Sequence, residues 1–168
     1  MTDYKKHIYD YVNNLLVSKY KDINTYFGFV NKTVKQKSIC LLKEVSNEPI
    51  HRTSESNNKI TEFMRSFVTI SISLDSDETT SYELANEIIN YIRSCLSSSK
   101  ALFYFQDFDM SPRQDLISST RDLTNNFSGN FVYKFEFDIP FDYISINNND
   151  CLDYEIGKDI DISINISK

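Results

Sequence analysis

Every second residue from Phe131 to Tyr143 is large and apolar: Phe131, Tyr133, Phe135, Phe137, Ile139, Phe141 and Tyr143. Lys134, Glu136, Asp138, Pro140 and Asp142 lie between them, so the opposite face is polar. Side chains alternate across a strand with period two, and the run predicts a long β-strand with one buried and one solvated face. A second alternation places Met64, Val68, Ile70, Ile72 and Leu74 opposite Thr69, Ser71 and Ser73. Shorter apolar runs predict strands at Ser38–Val45 and Ala101–Phe108. The end of the chain alternates again, with Ile156, Ile160, Ile162, Ile164 and Ile166 against Asp159, Asp161, Ser163 and Asn165, and Gly157 where a bulge or bend would fall.

Two stretches follow the helical period instead. Ile8, Tyr11, Val12, Leu15 and Leu16 form an apolar stripe that predicts a helix from about Asp3 to Lys19, capped by Thr2 or Asp3. Leu84, Ala85, Ile88, Ile89, Ile92 and Leu96 form a second stripe. Thr80 and Glu83 stand at capping-box spacing before it, and Ser97-Ser-Ser ends it. Gly28 and Asn31 mark turns. Residues 46–61 are polar and interrupted by Pro49, which predicts an exposed loop or a hairpin tip. Met110–Asn130 is irregular, with a helical turn expected around Leu116–Leu123. The expected architecture is α+β, a largely antiparallel β-sheet with an N-terminal helix and a central helix packed on one face.

A length of 168 residues makes one domain, spanning 1–168, with no internal repeat or linker. A chain of this size buries roughly 70% of its extended surface. The net charge of −6 is a poor start for a nucleic-acid binder, which needs a basic face against phosphates. Cys40, Cys95 and Cys151 are far apart and odd in number, as expected of free or buried thiols in a reducing compartment. The N-terminus has no apolar signal core, and no run reaches the ~18 apolar residues of a membrane span. The expectation is a soluble chain, intracellular at synthesis.

Catalytic chemistry is sparse in the sequence. His7 and His51 are the two histidines, and no HxxxH, CxxC or HExxH spacing occurs. Three unclustered glycines make no phosphate-cradling loop. Asp107 with Asp109, and Asp159 with Asp161, are spaced to share a strand face and hold Mg²⁺. Alternating Asp is also the ordinary way to solvate such a face. No catalytic residue, metal site or cofactor is expected.

Candidate interaction residues are His51 and Arg52 in the polar 46–61 segment, Arg113 and Arg121 in the irregular one, and Pro140. Arginines in irregular segments of an acidic protein are placed to dock an acidic neighbour, although rim charges are individually weak. Proline lacks the amide needed in a central ladder, so Pro140 predicts an edge or bulged strand. An aromatic strand open at an edge calls for another chain to cover it, through strand addition or edge packing.

The order of elements resembles that of the tail-terminator or neck proteins of long-tailed bacteriophages. The resemblance runs through Ser38-Ile-Cys-Leu-Leu, Phe67-Val-Thr-Ile-Ser-Ile-Ser-Leu and the helix Ser81-Tyr-Glu-Leu-Ala-Asn-Glu-Ile-Ile-Asn-Tyr-Ile-Arg-Ser-Cys-Leu. It continues in Phe105-Gln-Asp-Phe-Asp-Met, Gln114-Asp-Leu, Arg121-Asp-Leu and Tyr133-Lys-Phe-Glu-Phe-Asp-Ile-Pro-Phe-Asp-Tyr. It covers nearly the whole chain as a pattern of elements rather than a signature motif. Lys134 stands where late strands of that family often begin with Arg. The resemblance implies a non-enzymatic virion component, made in the host cytoplasm, that forms a homohexameric ring. Such a ring caps the tail tube and joins it to the head connector, with DNA only passing through the lumen. An acidic lumen would let DNA slide without sticking. A head–tail adaptor or tail-completion protein shares this architecture. By composition alone, a small intracellular binding or immunity module fits as well, and a Mg²⁺ nuclease built on the paired aspartates is the enzymatic rival.

Overall fold

A computed structural model describes residues 3–20, 22–28, 38–56, 59–75, 80–127 and 130–148, with side chains described except at 3, 52–56, 59, 75, 80, 125–127, 130–131 and 147–148. Three helices, α1 (Asp3–Lys19), α2 (Thr80–Leu96) and α3 (Ser99–Gln106), accompany seven strands. The strands are β1 (Asn24–Phe27), β2 (Ser38–Ser56), β3 (Lys59–Asp75), β4 (Met110–Pro112), β5 (Arg121–Asp122), β6 (Asn125–Phe127) and β7 (Asn130–Asn148). The sheet runs β1-β2-β3-β7-β4, with β5 and β6 also on β7. Among the described residues, only the β1–β2 pair is parallel. The fold is α+β, as the alternating and helical stripes predict.

The two periodicities meet in one core. Val68, Ile70, Ile72 and Leu74 of β3 and Phe135, Phe137, Ile139, Phe141 and Tyr143 of β7 are buried on one face of the sheet. Ile8, Val12 and Leu16 of α1, and Ala85, Ile88, Ile89, Ile92 and Leu96 of α2, close over them. Leu84 lies outside the stripe assigned to it and is exposed. Gly28 ends β1 at φ +103°, a conformation that favours glycine, and its N–H donates to the Leu42 carbonyl at 2.8 Å.

Three expectations are corrected. Residues 101–108 are expected as a strand, but Ser99–Gln106 is helix α3. Ala101 and Phe105, four apart, are buried, whereas Phe103 is 68% exposed. Phe105 meets Tyr11, Tyr104 and Phe141 with ring centroids about 5.1 Å apart, so packing overrides the strand preference of its aromatics. Residues 46–61 are expected as an exposed loop or the tip of a hairpin. The hairpin stands and the loop is corrected: 46–56 and 59–61 are the paired ends of β2 and β3, with register shifts in β2 between Glu44/Ser46, Pro49/His51 and Thr53/Ser56. Residues 110–127 are a broken strand lying antiparallel along β7, with a 3₁₀ turn at Gln114–Leu116 in place of the expected turn at 116–123. The alternating strand at 156–166 lies outside the described residues.

Length decides the outline. A 17-residue strand such as β3 extends about 55 Å, whereas the 17-residue helices α1 and α2 extend about 25 Å each. The helices therefore cover only part of the sheet. The core stops near Met64 and Tyr143, and β2, β3 and β7 continue beyond it as a three-stranded ribbon.

The helical assignment of 101–108 separates two neighbours that a strand would place on one face. Phe105→Ala is expected to cost about 3–5 kcal/mol in denaturant unfolding, the usual range for a buried phenylalanine. Phe103→Ser is expected to stay within about 0.5 kcal/mol of wild type, since it lies on the opposite, exposed side of α3. Equal costs would refute the helix.

Candidate assembly surface

The face of the sheet away from the helices carries the charges, and they are organised. Arg65 of β3 donates two hydrogen bonds to Asp142 of β7, Nε at 2.6 Å and Nη2 at 2.8 Å. Arg113 adds Nη1 to the same carboxylate at 3.1 Å, while its Nε and Nη2 reach Asp115 at 3.0 and 2.8 Å. Farther along β7, Arg121 bonds Asp138 at 2.6 Å and Glu136 at 3.0 Å, and Thr69 donates to Asp138 at 2.6 Å. The first cluster sets two arginines against two carboxylates, and in the second Lys134 Nζ joins Arg121, 3.4 Å from Glu136, so that each cluster balances its charges. The arginines bind in planar, multidentate fashion, a geometry open to guanidinium and not to ammonium.

Arg113 and Arg121, the candidate docking residues, are engaged within the subunit. They reach back across 29 and 17 residues to pin the 113–123 segment onto β7. The polar face of β7 is also less solvated than its alternation predicts, with the Glu136 side chain only 16% exposed. The return along β7 is antiparallel, but its register shifts by four residues between Ser111↔Asp142 and Arg121↔Glu136, so eight residues separate the two arginines where four separate Asp142 from Asp138. No spacing in the sequence announces the pairing.

These contacts set the protonation of the carboxylates. The Arg121 hydrogen bond holds Asp138 below the usual range against the opposing effect of burial. At Asp142 burial acts upward, but Arg65 and Arg113 together outweigh it and the net shift is down. Asp115 is lowered by Arg113. Glu44 lies on the helix side, where burial is outweighed by bonds from Lys5, Tyr4 and Ser66. Its Oε1 accepts from Tyr4 at 2.6 Å and from buried Ser66 at 2.7 Å. Tyr4 stacks on Tyr143 at 4.0 Å, and Asn47 donates to Tyr143 Oη at 2.7 Å. This polar knot fixes the start of α1 to the sheet where the ribbon begins. A groove of about 750 Å³ opens beside it, with Lys5, His7, Glu62, Met64 and Phe108 among its walls.

Pro140 is buried, and β7 is not an edge at that point. It pairs with Phe67 of β3, and its carbonyl accepts from Arg113 N–H at 2.8 Å on the other side. The N–H and C=O of a strand residue point the same way, so the missing donor faces the broken strand rather than β3. Asp138 shows what a complete residue does on that side: its N–H donates to Ser118 Oγ, and its carbonyl accepts from Ser118 N–H. Proline is tolerated in a central strand because its partner there is irregular.

The open edges lie elsewhere. β1 ends opposite Leu42 and β4 ends opposite Tyr143. Among the described residues, no strand flanks β2 over Ser46–His51 on that side, nor β7 over Ile144–Asn148. His51 sits in this ribbon, exposed, paired with Phe63, their ring centroids 6.5 Å apart. Arg52 follows it opposite Glu62, with its side chain outside those described. The exposed large apolar side chains of the described strands, Val45, Ile50, Phe63, Ile144 and Ile146, all lie on the ribbon or at its root. Phe63, Ile144 and Ile146 lie opposite in parity to the core residues of β3 and β7, on the face away from the helices, and Val45 and Ile50 sit at the register shifts of β2, so none belongs to the alternations that sequence reasoning follows.

Among the described residues, no three His, Cys, Asp or Glu side chains gather closely enough to hold a metal ion. Asp107 caps the end of α3, Asp109 turns the chain at φ 53°, and Asp159 and Asp161 lie outside the described residues. Cys40 and Cys95 are free thiols, and burial pushes that of Cys40 up. Cys151 lies outside the described residues. No described helix is long and apolar enough to cross a membrane. The chain is an α+β domain with one helical layer, one ion-paired face and a protruding ribbon. No family model matches it, and no curated protein matches it in sequence.

The lowered carboxylates give a pH dependence of definite sign. Their folded pKa values lie below the unfolded values of about 4, so their contribution is present above that pH. It is lost as pH falls through the folded values. Asp142→Asn is expected to cost about 1–3 kcal/mol at pH 7, because two arginines lose a charged acceptor. It should also flatten the fall in stability between about pH 4 and pH 2, as read by urea unfolding across that range.

Proposed function

We propose that this chain is a non-enzymatic structural protein of a long-tailed bacteriophage, a ring-forming tail terminator or neck protein that caps the tail tube and joins it to the head connector. The observation that carries the reading is the ribbon, a sheet extension with exposed apolar side chains and two backbone edges that no strand flanks among the described residues. A monomer in water leaves such edges unsatisfied by protein partners, and an assembling subunit uses them. The element order supports the same reading, with a long strand running into α2 and a late aromatic strand completing the sheet. The ion-paired outer face supports it too. Charges already neutralised within the subunit leave shape and backbone pairing to direct association, and the net charge of −6 disfavours adhesion to DNA passing through a lumen.

The test is assembly. Light scattering and negative-stain imaging of the purified chain are expected to show rings of roughly six subunits, whose two unlike edges allow head-to-tail closure. Sedimentation with tail tubes of the cognate phage should carry the protein into the pellet. A chain that stays monomeric with tubes present and does not sediment with them would exclude the terminator role and favour a small intracellular binding module.

A further inference from the structure

We propose that the ribbon is where successive copies of this chain join edge to edge, with Ile144–Asn148 of β7 in one copy lying against Ser46–His51 of β2 in the next. The proposal rests on the ring reading and names its contact surface. Among the described residues, the two stretches are the unflanked edges on opposite sides of one three-stranded ribbon. They are unlike each other, so a contact between them is head-to-tail. β2 and β7 are both antiparallel to β3 and therefore parallel to one another. Copies whose ribbon tips all point the same way present β7 of one to β2 of the next in parallel, and a rotation between them closes a ring. A two-fold contact would join β2 to β2 or β7 to β7 and leave the other edge of each copy open.

The side chains agree with that partner. Ile50 beside one edge and Ile144 and Ile146 at the other are 49, 39 and 63% exposed. Ile144–Asn148 contains no ionisable residue, so no like charge opposes approach of a second copy in spite of the net charge. Pro49 removes one donor from β2, and the shifts beside Glu44 and Pro49 twist its edge. Such devices restrict an edge to a short, defined partner and oppose open-ended strand stacking.

Two variants of the full chain, Ile50→Lys and Ile146→Lys, each block one edge. Both sites are exposed, so circular dichroism is expected to match wild type, and thermal melts to match it at dilutions where wild type is dissociated. Native mass spectrometry across a hundredfold concentration range is expected to show oligomers for wild type and monomers for each variant alone, with association weakened at least tenfold. An equimolar mixture of the two variants retains one intact β2 edge and one intact β7 edge per pair, and is expected to give heterodimers that do not grow. Variants that assemble like wild type would overturn the proposed surface and leave the ring reading standing. A mixture that stays monomeric, or homodimers of one variant, would overturn the head-to-tail geometry. A wild-type chain that is monomeric throughout would overturn self-pairing, and sedimentation with tail tubes then judges the terminator reading separately.

Discussion

The ladder between β3 and β7 is the constraint on which the rest of the structure depends. Seventeen consecutive pairs, from Lys59↔Asn148 to Asp75↔Val132, run without a register shift. Because side chains alternate with period two, one fixed register commits every even residue of β3 and every odd residue of β7 to the same face. That face receives the helices from Met64 to Leu74, and the core forms there. The ladder does not stop where the helices stop, because its backbone bonds cost the same on either side of that boundary. The ribbon follows from two rigid elements of unequal length sharing one face.

β2 is built differently. Its three register shifts let it follow the twist of the ladder while changing which of its residues face the helices. Cys40 and Leu42 face the core before the first shift, and Asn47 and Pro49 take that side after it. The Glu44 knot sits at this transition. A buried serine, a tyrosine and a lysine surround one carboxylate there, and the apolar core gives way to polar surface without an unsatisfied group at the carboxylate.

The opposite face shows how an irregular segment can complete a sheet. Residues 113–123 supply few ladder bonds to β7, and the deficit is met by side chains. Arg113 and Arg121 grip carboxylates across the strand, Ser118 brackets Asp138, and Gln114 donates at 2.9 Å to the Leu96 and Ser98 carbonyls at the end of α2. These bonds tie one mixed segment to both layers. They also draw the arginines away from partners, so the surface left for assembly is apolar and backbone-rich rather than charged. An acidic protein that associates through neutral edges meets little long-range repulsion at the contact itself.

The sequence by itself determined the class of fold, because period-two and period-3.6 patterns are set by local geometry. α1, α2, β3 and β7 are legible from Ile8 to Leu16, from Ala85 to Leu96, and in the two long alternations. It also determined that the chain lacks the usual catalytic and metal-binding motifs. Only the tertiary structure decided that 101–108 is a helix, since Phe103 and Phe105 are distinguished by what Phe105 packs against. Only it decided that Pro140 is interior and that Arg113 and Arg121 are spoken for, because those partners lie many residues away and no local rule links them. The Phe131–Tyr143 alternation foretold a buried face. Where that face loses its cover depended on where the helices end in space, and the open ribbon is the result.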